Sequence, residues 1–184
     1  MNGHSFPPIY LPWSPASMTP DQVQHLTSLV YTMGIDRVLE LGGGVSTFCL
    51  HWTLAHMPET PTLWTIEYSD LWKNLLVKGC GMIDLHTPNE VWHSYYDNVE
   101  NFIEREDDLG VPELVLIDGP FAGPDPYARK VAVKLIQHLL HKGLVVFMDD
   151  IDRFAEQTIF AGLQMLGDNH ILTRKENYVV FIYK

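Results

Sequence analysis

Short apolar runs recur along the chain, and longer stretches with helical spacing lie between them. Runs at 37–41, 62–67, 113–117 and 144–148 read as buried strands, and a weaker run at 82–86 reads as another. Helices are predicted over 46–56, 70–78, 95–108 and 154–166. Thr19-Pro20-Asp21-Gln22 has the pattern of a capping box with proline at the first helical position, so a helix should run from there to about Met33. Asp125-Pro126 supplies the same start signal before Ala128, Val131, Leu135, Ile136, Leu139 and Leu140, which share a helical face. Gly143 should end that helix. Runs at 171–174 and 178–183 predict a closing hairpin around Lys175-Glu176-Asn177. Residues 1–18 hold Pro7, Pro8, Pro12 and Pro15 with Phe6, Tyr10 and Trp13. They read as an extended arm or lid over one domain formed by residues 19–184.

Strands that alternate with helices imply an α/β fold, with a mostly parallel sheet covered on both faces. Each crossover should be right-handed. The hairpin turn is too short for a crossover, so one C-terminal strand must run antiparallel. The expectation is a Rossmann-like, doubly wound, seven-stranded sheet. It departs from the six parallel strands of the dinucleotide-binding fold.

The 184 residues suit one domain, and 46% are hydrophobic, enough for a full core. Twelve Lys and Arg stand against 23 Asp and Glu, a net charge of −11. A polynucleotide partner is disfavoured, because phosphate binding draws on basic residues. No apolar stretch is long enough for a membrane span, and the N-terminus lacks the charged and apolar regions of a signal peptide. Cys49 and Cys80 are too few for a disulfide framework or thiolate metal site. These features fit a reducing compartment, and so the cytoplasm.

The run from Val38 to Thr47, with Glu40, Gly42, Gly43, Gly44, Ser46 and Thr47, carries the most chemistry. An apolar strand ends in three glycines and a helix starts directly after them. Glycine lets a ligand approach the backbone closely, and a helix N-terminus offers unpaired N–H groups and a positive dipole end. Glu67 closes the next strand, 23 residues after Gly44. An acid there can accept hydrogen bonds from both ribose hydroxyls. Asp118 ends the strand of 113–117 at the carboxyl edge, where open α/β sheets bind ligands. Asp149 and Asp150 end the strand of 144–148. Neighbouring strand residues point to opposite faces, so these two converge only if the strand has already ended.

The element order and these residues resemble the class I S-adenosylmethionine-dependent methyltransferases, in particular the small domains with a Glu-x-Gly-x-Gly-x-Ser-Thr first motif. The resemblance spans roughly residues 19–184. It implies S-adenosylmethionine as cosubstrate, held by Glu40, Gly42, Gly43, Gly44, Ser46, Thr47, Glu67 and Asp118. Glu40 would brace the glycine loop or meet the donor's ammonium. Asp118 and Asp149 would face the reacting groups. Some members of the superfamily bind Mg²⁺, and the matching positions are Asp118, Asp149 and Asp150, the last replacing an amide. A carboxylate remains a hard oxygen ligand.

Each of these residues also has a plainer reading. Glu67 could be a solvated strand-end acid, Asp118 could brace its own turn, and Asp152 could cap the helix after it. Trp92 or a neighbouring tyrosine could stack on adenine, although aromatics at such edges usually belong to the core. His86 and His93 are candidate bases, but a lone strand-end histidine is usually structural. Arg129 and Arg153 could hold an acidic acceptor, but surface pairing with neighbouring acids is the ordinary expectation.

The function implied is methyl transfer to a small-molecule acceptor, a hydroxyl oxygen on account of the aspartates. Without an inserted substrate domain, the acceptor is small or a homo-oligomeric partner shares the lid. The competing reading is a methyltransferase-like module that binds a ligand or partner without turnover. A nicotinamide-dependent dehydrogenase fits poorly, because Thr47 stands where the dinucleotide pattern wants its last glycine.

Overall fold

The computed structural model describes residues 11, 13–14, 16–58, 61–67, 69–82, 89–93, 102–104, 110–119 and 128–184, with side chains except at 81–82, 89–93 and 128. It forms one seven-stranded sheet. The strands are β1 (Arg37–Leu41), β2 (Thr62–Glu67), β3 (Asn89–His93), β4 (Leu114–Ile117), β5 (Val145–Asp149), β6 (Asn169–Arg174) and β7 (Tyr178–Tyr183). Their order across the sheet is β3-β2-β1-β4-β5-β7-β6. The first five run parallel, whereas β7 runs antiparallel to β5 and β6 antiparallel to β7. The C-terminal hairpin is therefore antiparallel, as its short turn requires.

The helices are α1 (Pro20–Met33), α2 (Val45–Leu54), α3 (Asp70–Met82), α4 (Val131–Leu139, after a 3₁₀ turn at Ala128–Lys130) and α5 (Phe154–Gln164). Alternate residues of the central strands feed two cores. Val38, Leu63, Leu116 and Phe147 pack with Val23 and Leu26 of α1 and Phe48 and Leu50 of α2. Leu39, Ile66, Val115 and Val146 pack with Leu135 of α4 and Phe160 and Leu163 of α5. This two-sided burial explains the nearly continuous apolar strand sequences. It also puts Glu40, between Leu39 and Leu41, on the α1–α2 face, where it is fully buried.

α1 starts as its sequence dictates. Thr19 accepts a hydrogen bond from the Gln22 backbone N–H, and the Gln22 side chain answers at the Thr19 N–H. The helix ends at Gly34, in the left-handed region with φ 67°.

The differences from the sequence reading are local. Met82 closes α3 instead of opening a strand, and the third strand lies at Asn89–His93, pairing Leu63 with Asn89 through Glu67 with His93. Residues 83–86 of the expected strand lie outside the described residues, and Val91-Trp92 is too short an apolar run to mark β3 in the sequence. α4 ends at Leu139, where Leu140 turns to extended backbone, and Gly143 instead forms the positive-φ turn into β5. Asp152 does not cap α5, since Arg153 holds that position without a side-chain cap bond. Residues 102–104 are helical within the helix expected over 95–108. Asp125-Pro126, His86 and residues 1–10 of the arm lie outside the described residues. No helix among the described residues is long and apolar enough to cross a membrane.

Candidate functional site

The sheet order reverses between β1 and β4, and their carboxyl ends open a crevice at that switch point. Gly42 has φ 90°, and its N–H bonds the Ile66 carbonyl at 2.9 Å. The N–H groups of Asp118 and Gly119 both donate to the Leu41 carbonyl, at 3.0 and 2.6 Å. Glycines at 42 and 119 let these two chain ends touch.

Two carboxylates fix the glycine loop. Glu40 lies behind it and accepts from the hydroxyls of Ser46 and Thr47, both at 2.6 Å, and of Thr65 at 2.9 Å. The Thr47 hydroxyl accepts in turn from the Gly44 N–H at 2.9 Å. Burial pushes the Glu40 carboxyl up to about 7, against the pull of the three hydroxyls. Glu67 clamps the front of the loop. Its carboxylate accepts the Gly43 N–H at 2.9 Å and the Ser69 N–H at 2.6 Å.

Gly42, Gly43, Gly44, Glu67 and Asp118 line a crevice of about 150 Å³. A full ligand pocket holds roughly 300–1,000 Å³, so this space takes one part of a ligand. Ser14, Ala16, Ser17 and Met18 form a further wall. This stretch is tied down by Ser14 and Ser17, whose hydroxyls lie 3.0 Å apart, and by the buried side chains of Leu11 and Met18. Glu40, Ser46 and Thr47 do not reach the crevice surface. They brace the loop from behind.

Beside the loop, one carboxylate oxygen each from Asp118, Asp149 and Asp150 falls within 4.8 Å of the others. The strand has ended where convergence requires it. β5 stops at Asp149, and Asp150 turns left-handed with φ 61°, the one non-glycine residue among those described to do so. This brings its side chain round to the same side as Asp149. The Asp118 carboxyl is held well above the ordinary carboxylate range by burial first and then by the charge of Asp149, against the pull of Arg129. Burial, followed by repulsion from Asp150, pushes Asp149 up to about 6.

Arg129 is not a surface cation. It is buried, with Nη2 donating to the Asp118 carbonyl at 2.6 Å and to Asp150 Oδ2 at 2.9 Å, and with Nε 3.7 Å from Glu156 Oε1. Arg153 Nη1 reaches the same Asp150 oxygen at 2.8 Å and lines the crevice. Gln22 donates through Nε2 to Asp149 Oδ1. Gln22 and Glu156 were not legible as site residues. Both act on partners that only the fold brings near, although the spacing Asp150-x-x-Arg153-x-x-Glu156 gave a local hint. Trp92 and His93 stand on β3, at the far edge of the sheet from β6.

The three aspartates are hard oxygen donors that crowd one another, and this chemistry fits a divalent cation such as Mg²⁺. If all were ionised, as bound ligands would be, they and Glu156 would carry four negative charges against two positive charges on Arg129 and Arg153. A dication would balance the remainder.

No protein-family model matches the sequence, and no curated protein matches it. Solved structures do match in fold. An O-methyltransferase from Bacillus cereus in complex with S-adenosylhomocysteine superposes with a TM-score of 0.72 at 18% identity, covering 93% of this chain and 84% of its own. An S-adenosylhomocysteine-bound methyltransferase from Podospora anserina gives 0.72 at 15%, with 92% and 80% covered. A putative O-methyltransferase from Klebsiella pneumoniae gives 0.70 at 16%, with 94% and 83% covered. Superposition over more than 90% of the chain gives it the fold of these methyltransferases.

Proposed function

We propose that the chain is an S-adenosylmethionine-dependent methyltransferase whose acceptor is a hydroxyl oxygen on a small molecule. One observation carries this reading. The glycine loop clamped by Glu67 and two members of the aspartate cluster, Asp118 and Asp150, line a single switch-point crevice, with Asp149 buried beside them. Structural neighbours that hold the demethylated donor support it.

The backbone of Gly42, Gly43 and Gly44 meets the amino-acid end of the donor, and Glu67 accepts from the ribose hydroxyls. Its two oxygens already take one N–H each, but a carboxylate has about four acceptor sites. Glu40, Ser46 and Thr47 preserve the loop's shape. Residues 1–18 act as a lid, of which the wall at Ser14, Ser17 and Met18 is the described part.

The sulfonium is already activated, so positioning the acceptor oxygen in line with the methyl carbon lowers the barrier by roughly 7–11 kcal/mol. The Asp118–Asp149 pair takes the proton from the acceptor hydroxyl. Raised carboxyls are the better bases near neutral pH. The oxygen lone pair forms the new O–C bond, and the S–C electron pair returns to sulfur, giving neutral S-adenosylhomocysteine. Mg²⁺, if bound by Asp118, Asp149 and Asp150, would supply a lowered pKa for the acceptor hydroxyl. The buried, unoxidised thiols Cys49 and Cys80 are in keeping with the cytoplasm.

Isothermal titration with S-adenosylhomocysteine tests donor binding, and Glu67→Ala should weaken it at least tenfold. A screen of phenols, catechols and sugar alcohols with methyl-labelled donor then tests turnover. Binding without transfer to any acceptor would favour the non-catalytic module.

A further inference from the structure

We propose that Gln22 is a positioning residue that ties the N-terminal wall of the crevice to the aspartate cluster and holds the Asp149 carboxylate in place. This rests on the reading of Asp149 as part of the acceptor site. Gln22 is the third residue of α1 and is buried, although glutamine is among the residue types that mostly stay exposed. Its Oε1 accepts the Thr19 N–H at 2.6 Å and closes the capping box. With the carbonyl end committed there, the amide nitrogen faces the other way, and it donates to Asp149 Oδ1.

A cap alone does not explain the residue. Glutamate closes a capping box as well as glutamine, because that role needs only an acceptor. The second contact needs a donor, because its partner is a carboxylate. Gln22 meets both demands and glutamate meets one. The connection is also short. Ser14, Ser17 and Met18 line the crevice, Thr19 follows directly, and its N–H is the group that Gln22 holds. A single side chain therefore couples the wall to a residue 127 positions away in sequence.

The test uses the full chain and three variants, Gln22→Glu, Gln22→Met and Asp149→Ala, with S-adenosylhomocysteine as the probe. Gln22→Glu keeps the cap and removes the donor. Its dissociation constant should rise at least fivefold while the far-ultraviolet circular dichroism stays that of the parent. Backbone amide resonances of residues 14, 16–18 and 149–153 should shift. In the Asp149→Ala background the same substitution should change the constant less than twofold, because the tie is already cut. Gln22→Met, uncharged and of similar length, removes the cap as well as the donor, so if the glutamate variant folds poorly its loss of binding should still be several-fold larger in the parent than in the Asp149→Ala background. Binding within twofold of the parent with residues 149–153 unmoved, or an equal loss in both backgrounds, would overturn the proposal. A parent protein that does not bind S-adenosylhomocysteine would instead sink the donor reading, and the amide shifts would still decide the role of Gln22.

Discussion

A Cβ placed on Gly42 would stand 2.4 Å from the Cα of Gly119, so the carboxyl ends of β1 and β4 meet backbone against backbone. The contact comes from the switch in strand order, and it puts Asp118 beside the glycine loop. Gly42→Ala meets two penalties, this clash and a φ of 90° that L side chains rarely adopt. We expect a loss of about 3 kcal/mol or more in urea unfolding, together with loss of donor binding. Gly44→Ala is the control, because its Cβ meets nothing within 4 Å. That variant should fold with near-parental stability. Any drop in donor affinity would then report on the crevice itself, which Gly44 lines.

Glu40 makes stability depend on pH. Its carboxyl is raised from 4.5 to about 7 in the folded protein, so between these values the folded state binds more protons than the unfolded chain. The stabilisation is fully present below about 4.5 and is lost as pH rises through about 7. The linkage amounts to at most about 3 kcal/mol. Urea midpoints measured from pH 5 to pH 8 should fall in the parent, and Glu40→Gln should flatten the fall. A parallel fall in both proteins would assign it to other groups.

Arg129 sits buried between the carboxylates of Asp150 and Glu156. Replacing it with methionine keeps most of the volume, takes the cation from Glu156 and leaves Asp150 with Arg153 alone. Breaking a buried pair from one side costs about 3–5 kcal/mol. Lysine should rescue only a minor part, because a single ammonium cannot span Asp150, Glu156 and the Asp118 carbonyl together. Chemical denaturation of Arg129→Met and Arg129→Lys checks both expectations.

The fold was legible because its signals are local. The apolar strands, the capping box at Thr19 and the glycine turn after Leu41 are each written within a few residues. The convergence of Asp118 with Asp149 and Asp150 could be framed in sequence only as a condition on where β5 stops, and the left-handed turn at Asp150 meets that condition. Arg129 was misplaced for a physical reason. Arginine next to lysine on an acidic chain reads as a solvated surface, and only the packing of α4 and α5 under the β5 end shows that it is enclosed. Gln22 read correctly as a cap, but its second bond spans the sheet and leaves no trace in local spacing.

His51 lies buried within α2, 2% exposed, and neither ring nitrogen finds a hydrogen-bond partner among the described residues. Burial lowers its pKa below 6.5, so the folded protein holds the ring neutral where the unfolded chain would protonate it. For a depressed histidine the unfolded state binds the extra proton. Stability is therefore unaffected above about 6.5 and falls as pH drops through that value toward the folded pKa. His51→Leu removes both the unmade hydrogen bonds and the titration. It should raise stability by about 1–3 kcal/mol, the usual cost of an unsatisfied buried polar group, and the gain should be larger at pH 5 than at pH 7.5. Paired urea curves of parent and variant at these two pH values measure the difference directly. A leucine variant less stable than the parent at both would show that the imidazole makes contacts that its burial alone does not reveal.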